Sequence, residues 1–222
     1  MIVVIDGPGG AGKSTVARRV AAALDAGYLD TGAMYRGLTH LALERGVPPD
    51  DGAGLEALLV GDPVAIDPRP GDASDRVLAA GEDVTQEIRH PRVSAAVSAV
   101  SAHAGVRERM VEAQRRMAAE GDWVADGRDL GSVVWPDADV KVFLTADAEV
   151  RARRRHQELR ARGLPDTMEQ VLADVRRRDH LDSTRAVGPL RVAEGACVID
   201  SSDLGIDEVV AAVVALARGR SS

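Results

Sequence analysis

Residues 7–15 read Gly-Pro-Gly-Gly-Ala-Gly-Lys-Ser-Thr, the P-loop pattern of Gly, four residues, Gly, Lys and Ser or Thr. No other stretch restricts the fold as much, because the pattern works only between a buried strand and a helix. Both neighbours are present: Ile2, Val3, Val4 and Ile5 form a β-branched run before it, and residues 16–24 read as a helix after it. Backbone N–H groups can wrap a polyphosphate only where side chains are missing, and Gly7, Gly9, Gly10 and Gly12 remove them. Lys13 then supplies countercharge for the β and γ phosphates, the Ser14 hydroxyl a ligand for Mg²⁺, and the helix start a positive end aimed at the anion. The loop Gly7, Pro8, Gly9, Gly10, Ala11, Gly12, Lys13, Ser14 and Thr15 is therefore expected to cradle a nucleoside triphosphate. The bland alternative is a glycine-rich turn with a chance lysine.

Further β-branched runs at residues 28–30, 123–126, 140–144 and Cys197–Asp200 are separated by helical patterns. Strands joined by helical crossovers predict an α/β fold: a parallel sheet of about five strands with helices on both faces. Between residues 60 and 89 the texture changes. Asp62-Pro63, Pro68, Pro70-Gly71-Asp72 and Gly81-Glu82-Asp83 are turn signals around residues 64–66 and 77–80, which predicts a small antiparallel insert or else an ordinary surface excursion. Residues 148–162 read as a helix carrying Arg151, Arg153, Arg154, Arg155, Arg160 and Arg162. Gly163-Leu164-Pro165 breaks it before a second basic helix that ends at Arg176-Arg177-Arg178. Two basic helices around a breaker can close over a ligand, and a solvated charged face is the alternative.

Size and composition exclude several classes. A chain of 222 residues, 45% hydrophobic, can bury one substantial core without a second full domain. A net charge of −7 and only 2% aromatic residues argue against nucleic acid as a partner. Cys197 is the single cysteine, so no intrachain disulfide forms, a reducing cytoplasmic home is the simpler one, and in its β-branched strand it is expected to be a buried small hydrophobe. His40, His90, His103, His156 and His180 lack ligand spacing, so metal chemistry is confined to Mg²⁺ on phosphates. No run of about 20 apolar residues is present, residues 1–5 are too short for a signal peptide, and no membrane partner is expected. Leu24, Leu38, Leu41, Val97, Val100, Val213, Val214 and Leu216 recur at helical spacings and are expected in the core, with Trp123 and Trp135 packing beside strands.

A P-loop alone implies a triphosphate binder. GTPases are excluded by the missing Asn-Lys-x-Asp reader, since the chain contains no asparagine, and a motor ATPase needs a longer core. Small-molecule kinases remain. Asp30-Thr31-Gly32-Ala33-Met34-Tyr35-Arg36 follows the second strand, Gly81-Glu82-Asp83-Val84 and Glu87-Ile88-Arg89 close the insert, and Asp126-Gly127-Arg128-Asp129 follows the third main strand. Pro136-Asp137-Ala138 precedes the next strand, and Arg177-Arg178-Asp179 leads into Asp182-Ser183-Thr184-Arg185. In this order the motifs closely resemble bacterial cytidylate kinases, over residues 2–214.

The resemblance implies transfer of the γ-phosphoryl group of ATP to CMP or dCMP, with ATP and Mg²⁺ required and a monomeric enzyme. It implies a core of residues 1–59, 104–147 and 186–222, an NMP-binding region with its insert at 31–103, and a lid at 148–185. By position, Ser98, Arg107 and Asp129 match the cytosine-reading residues, Asp182 the ribose contact, and Arg36, Arg128 and Arg185 the acceptor-phosphate arginines. Thr31 joins the substrate set. Lys13, Arg128 and Arg185 are the expected catalytic residues, with Arg154 and Arg155 as lid contacts to ATP and Asp126 as an outer-shell partner of Mg²⁺.

Chemistry agrees, because cytosine presents an amino donor beside ring acceptors, which a carboxylate and a guanidinium complement, and uracil inverts both. Read without the resemblance, Arg107 and Asp129 can equally be a structural salt bridge, Ser98 helix packing, Asp126 a cap, and Asp182 and Arg185, three apart, a surface ion pair on one helix face. Two rival functions stay open. One is a P-loop kinase for AMP, UMP, shikimate or gluconate, and the other a nucleotide-binding interaction protein without transferase activity.

Overall fold

The structure, a computed structural model, describes residues 1–61, 64–67, 76–164 and 167–220 of the chain. In chain order it runs β1 (Ile2–Asp6), α1 (Lys13–Leu24), β2 (Gly27–Asp30), α2 (Thr31–Glu44), α3 (Gly52–Gly61), β3 (Ala65–Asp67), β4 (Arg76–Ala79) and β5 (Glu82–Asp83). It continues through α4 (Pro91–Val100), α5 (Ala104–Met117), β6 (Trp123–Gly127), β7 (Val140–Thr145), α6 (Ala148–Ala161), α7 (Met168–Thr184), β8 (Cys197–Asp200) and α8 (Ile206–Arg218).

Among the described residues the main sheet has five parallel strands in the order β2-β6-β1-β7-β8. β1 is the central strand and is buried on both faces, which is why it reads as an unbroken apolar run. Val3 and Ile5 pack with Val16 and Val20 of α1 and Val213 of α8 on one face. Val4 faces the opposite layer, where Met34 and Leu38 of α2 meet Val106 and Met110 of α5. A side chain as fully buried as Leu38 contributes about 1.5–3 kcal/mol. Register sets Ile5 beside Asp126 and Asp6 beside Gly127, so the segments leaving β1 and β6 emerge together at the carboxyl edge of the sheet. In an open α/β sheet that edge is where ligands bind.

The expected insert forms a three-stranded antiparallel sheet, β3-β4-β5, against α2. Glu82 and Asp83, read above as part of a turn, are paired with Ala79 and Leu78. The turn itself is Ala80-Gly81, both at positive φ (53° and 80°), the two-residue geometry that matches strand twist. The turn signals at Asp62-Pro63, Pro68 and Pro70-Gly71-Asp72, and the breaker Pro165, lie outside the described residues.

Other boundaries shift for local reasons. α1 begins at Lys13, three residues before the apolar periodicity, because Gly12 caps it in a left-handed conformation (φ 90°) that only glycine adopts easily. α7 runs past Arg178 to Thr184, and Arg185 already has extended backbone (φ −61°, ψ 144°). Asp182 and Arg185 therefore do not share a helix face. Cys197 is exposed: β8 is an edge strand bonded only to β7, and Ile199 is the residue it packs against the core. Leu216 is 37% exposed, because α8 turns Val209, Val213 and Ala217 inward at intervals of four. Leu24 and Val214 are partly buried, as are Trp123 and Trp135, while Leu41, Val97 and Val100 are core residues as expected. No helix among the described residues is long and apolar enough to cross a membrane.

Candidate active site

At the carboxyl edge of the sheet lies a cleft of about 470 Å³, reaching from the P-loop past α2 to α4 and α5. Its walls are built from three strand-to-helix turns. The first turn, after β1, is the P-loop. A Cβ at Gly7 would run into the carbonyl oxygen of Leu144, so the loop can turn this close to β7 only with glycine there. The capping position of α1 offers no side-chain acceptor, which leaves backbone N–H groups at the helix start free for an anion. Lys13 is buried and donates to the carbonyl oxygen of Pro8 at 2.9 Å. Burial, reinforced by Arg128, pushes its ammonium down to about 7. A lysine held so far below its usual value is poised for a dense negative charge.

The second and third turns meet the first at Asp126. Its carboxylate accepts from Ser14 Oγ at 2.9 Å and from the Tyr28 hydroxyl at 2.8 Å, and its carbonyl oxygen accepts from Thr31 Oγ1 at 2.7 Å. Burial and the neighbouring Asp30 push the Asp126 carboxyl up to about 7. Asp6, at the end of β1, accepts the backbone N–H groups of Leu130 and Gly131, both at 2.8 Å. These open a short π-helical turn at Leu130–Val134, so Asp6 fixes the segment that presents Arg128 and Asp129. Burial pushes its own carboxyl up to about 6 despite those two donors.

The far end of the cleft holds a buried ion network. Asp129 pairs with Arg107 Nη2 of α5 and accepts from Arg185 Nη2 at 3.2 Å. Burial raises the Asp129 carboxyl, against the opposing pull of Arg107 and Arg185. Arg107 lies over the Tyr35 ring, 5.8 Å from its centroid, and Gly188 crosses directly above, where any Cβ would strike Asp129 and Arg107. Between the two ends Asp182 of α7 accepts from Arg128 Nε at 2.9 Å and from Ser98 Oγ at 3.0 Å. Burial alone would raise the Asp182 carboxyl, but Arg128, aided by Arg178 and Arg185, carries it below the usual range.

Over the P-loop the positive charge is in excess. Arg36 is half-buried, donates to Ser94 Oγ at 2.8 Å, and is pushed down to about 9 by the loss of water around its guanidinium and by Arg178. Arg178 reaches the cleft beside Gly9, its buried Nε has no hydrogen-bond partner, and burial with the nearby Arg128 lowers it too. Several guanidiniums repelling one another beside a lysine that sheds its proton easily describe a site completed by anionic phosphates.

Comparison with known proteins decides what family built this site. The sequence profile described as cytidylate kinase matches residues 3–219. A cytidylate kinase of Rhodococcus jostii is 52% identical over 222 residues, covering 100% of this chain and 96% of the relative. One of Carboxydothermus hydrogenoformans is 51% identical over 211 residues, 95% and 94% of the two chains. The chain belongs to the cytidylate kinase family. Among solved structures, a shikimate kinase from Bacteroides thetaiotaomicron aligns over 98% of both chains with a TM-score of 0.49 and 13% identity.

Cytidylate kinase positions named from the sequence fall mostly on the cleft. Gly9, Gly10, Gly12, Lys13, Ser14, Thr15, Thr31, Arg36, Ser98, Arg107, Asp126, Arg128, Asp129, Arg155, Asp182 and Arg185 all line it. Gly7 and Pro8 shape the loop from behind, and Ala11 packs into the core beside Val16. Arg154 does not reach the cleft: its guanidinium is committed to Ser201, whose hydroxyl bonds the carbonyl of Ala11, so it braces the loop from outside. Arg185 stands at Asp129 rather than above the P-loop. Asp6, Tyr28, Gln114 and Arg178 were not singled out from the sequence. Arg178 alone had a signal, its place in the Arg177-Arg178-Asp179 motif.

Proposed function

We propose that this enzyme transfers the γ-phosphoryl group of ATP to CMP or dCMP, giving CDP or dCDP and ADP. The observation that carries the reading is one cleft with a phosphate cradle at one end and the Arg107–Asp129 pair at the other. The CMP phosphate is already anionic, so no strong general base is needed, and catalysis consists of alignment and charge neutralisation. Arg36, Arg128 and Arg178 orient the acceptor phosphate, and Lys13 stabilises the migrating group with Arg155 closing from the lid. Asp182 takes the ribose while holding Arg128 and Ser98. Asp129 accepts from the cytosine amino group and Arg107 donates to the ring acceptors. Arg185 supports that pair and joins the acceptor phosphate only on leaving Asp129.

Mg²⁺ fits the residues present. Ser14 and Asp126 form a hydroxyl and carboxylate pair, and the crowding of Asp126 by Asp30 is relieved by a cation. Ser14 would ligate the ion and Asp126 would hold its outer shell. When bound, the ion neutralises charge on the β and γ phosphates. Residues 148–185 act as a lid and 31–103 as the acceptor-binding region, around a core of 1–59, 104–147 and 186–222. Arg151 joins lid to loop, bonding the Gly9 carbonyl at 3.1 Å and Asp179 at 2.7 Å.

The test is ADP production with ATP and Mg²⁺ over CMP, dCMP, UMP, AMP, shikimate and gluconate. CMP and dCMP should exceed UMP by about 10²-fold or more in kcat/KM, because uracil leaves both members of the buried pair mismatched. Comparable values for CMP and UMP would overturn the base-reading assignment.

A further inference from the structure

Gln114 sits on α5 seven residues after Arg107, two turns along the same helix face. It is 1% exposed, yet neither its amide nitrogen nor its amide oxygen has a partner in full hydrogen-bond geometry, the Tyr35 hydroxyl being a polar group that comes near without closing one. The side chain lines the cleft with Val97 and Leu130 and lies beside the Tyr35 hydroxyl. A buried amide with both groups unmet destabilises the empty protein, and an apolar side chain of the same shape would not. Such an arrangement makes sense where an incoming molecule supplies the partners.

We propose that Gln114 is a base-binding residue whose amide pairs with the hydrogen-bonding edge of the pyrimidine. The assignment rests on the CMP kinase reading and deepens it. The cytosine amino group carries two hydrogens, so the Gln114 amide oxygen accepts the one that Asp129 leaves, and for uracil the amide nitrogen donates to the oxygen at the same ring position. Turned over, the same amide fits uracil equally well. Gln114 therefore contributes affinity for either pyrimidine, while the fixed polarity of Arg107 and Asp129 makes the choice between them. The empty site tolerates an unmet amide, and the base satisfies it.

Gln114→Met tests this, with kinetics on CMP and UMP, inhibition by ribose 5-phosphate as a base-free probe, and thermal unfolding. The variant should unfold at the wild-type temperature or above when empty. Its KM for CMP and for UMP should rise about tenfold or more, with kcat nearly kept and the ratio of the two substrates almost unchanged. Inhibition by ribose 5-phosphate should not move. Gln114→Leu, which also removes both hydrogen-bonding groups, should raise KM for CMP as well, and it serves if the Met variant folds poorly. A wild-type KM for CMP in both variants overturns the assignment, as does an equal loss for ribose 5-phosphate, which would place Gln114 away from the base. A wild-type enzyme without CMP turnover overturns the kinase reading itself and this assignment with it.

Discussion

Separating the two roles of the Arg107–Asp129 pair, a bridge that holds the fold and a reader of the base, needs a perturbation that preserves one and destroys the other. The two side chains are 3% and 6% exposed, so replacing Asp129 by Leu strands the Arg107 charge where water cannot reach it. Breaking a buried pair on one side costs about 3–5 kcal/mol. For a chain of this length each kcal/mol moves the unfolding midpoint by about 2–4 °C, which puts the single variant about 6–20 °C below wild type. The double variant Arg107→Met with Asp129→Leu removes both charges and keeps the volume filled, and such replacements of whole pairs are often neutral. Arg185 keeps the Gly188 carbonyl, the Ser101 hydroxyl and nearby Asp182, so its charge is not stranded in turn. The double variant should recover at least half of the lost stability. Its kcat/KM for CMP should nonetheless stay down by about 10²-fold or more, since only the Gln114 amide, which serves either pyrimidine, is left to face the base. Thermal unfolding and a coupled ADP assay on the three proteins read both quantities. A double variant that regains stability and also turns over CMP near the wild-type rate would show that the pair is only a bridge.

Lys13→Ala should lower turnover by about 10²-fold or more with the fold intact, because the ammonium acts on charge developing in the transition state. Near-normal turnover would refute the role. ATP binding without Mg²⁺ should take up protons near neutrality. Lys13 in the empty site is pushed down to about 7, so near neutrality a good part of it is uncharged and becomes charged beside the triphosphate. Calorimetry in buffers of different ionisation heat should give that uptake, smaller when Mg²⁺ binds too and drives the proton from Asp126, and absent from Lys13→Ala. ATP affinity should therefore weaken as pH rises above 7, and buffer-independent heats would contradict the argument.

Elements governed by short-range patterns were readable in the sequence. The sheet was legible because parallel strands buried on both faces leave β-branched runs, and the cradle because its glycines answer to local sterics. What escaped depends on distant segments meeting. Asp6 is one acidic residue in an apolar run until β1 and β6 lie side by side and its carboxylate meets Leu130 and Gly131. Gln114 looks like one more polar residue in a charged helix, since its burial comes from α2 and the π-helical turn packing over α5. Cys197 misled for the opposite reason: its β-branched neighbours signal a strand, but nothing local says that the strand is the last in the sheet.

The carboxylate of Asp6 has a mechanical consequence. The donor's cradle grows from the residue after it, and the turn bearing Asp129 is pinned to its two oxygens, so both ends of the reaction are riveted to the tip of a single strand. Anvil and workpiece rest share one bolt. In the proposed lid role the arginine helices α6 and α7 swing against two ends that Asp6 already holds together.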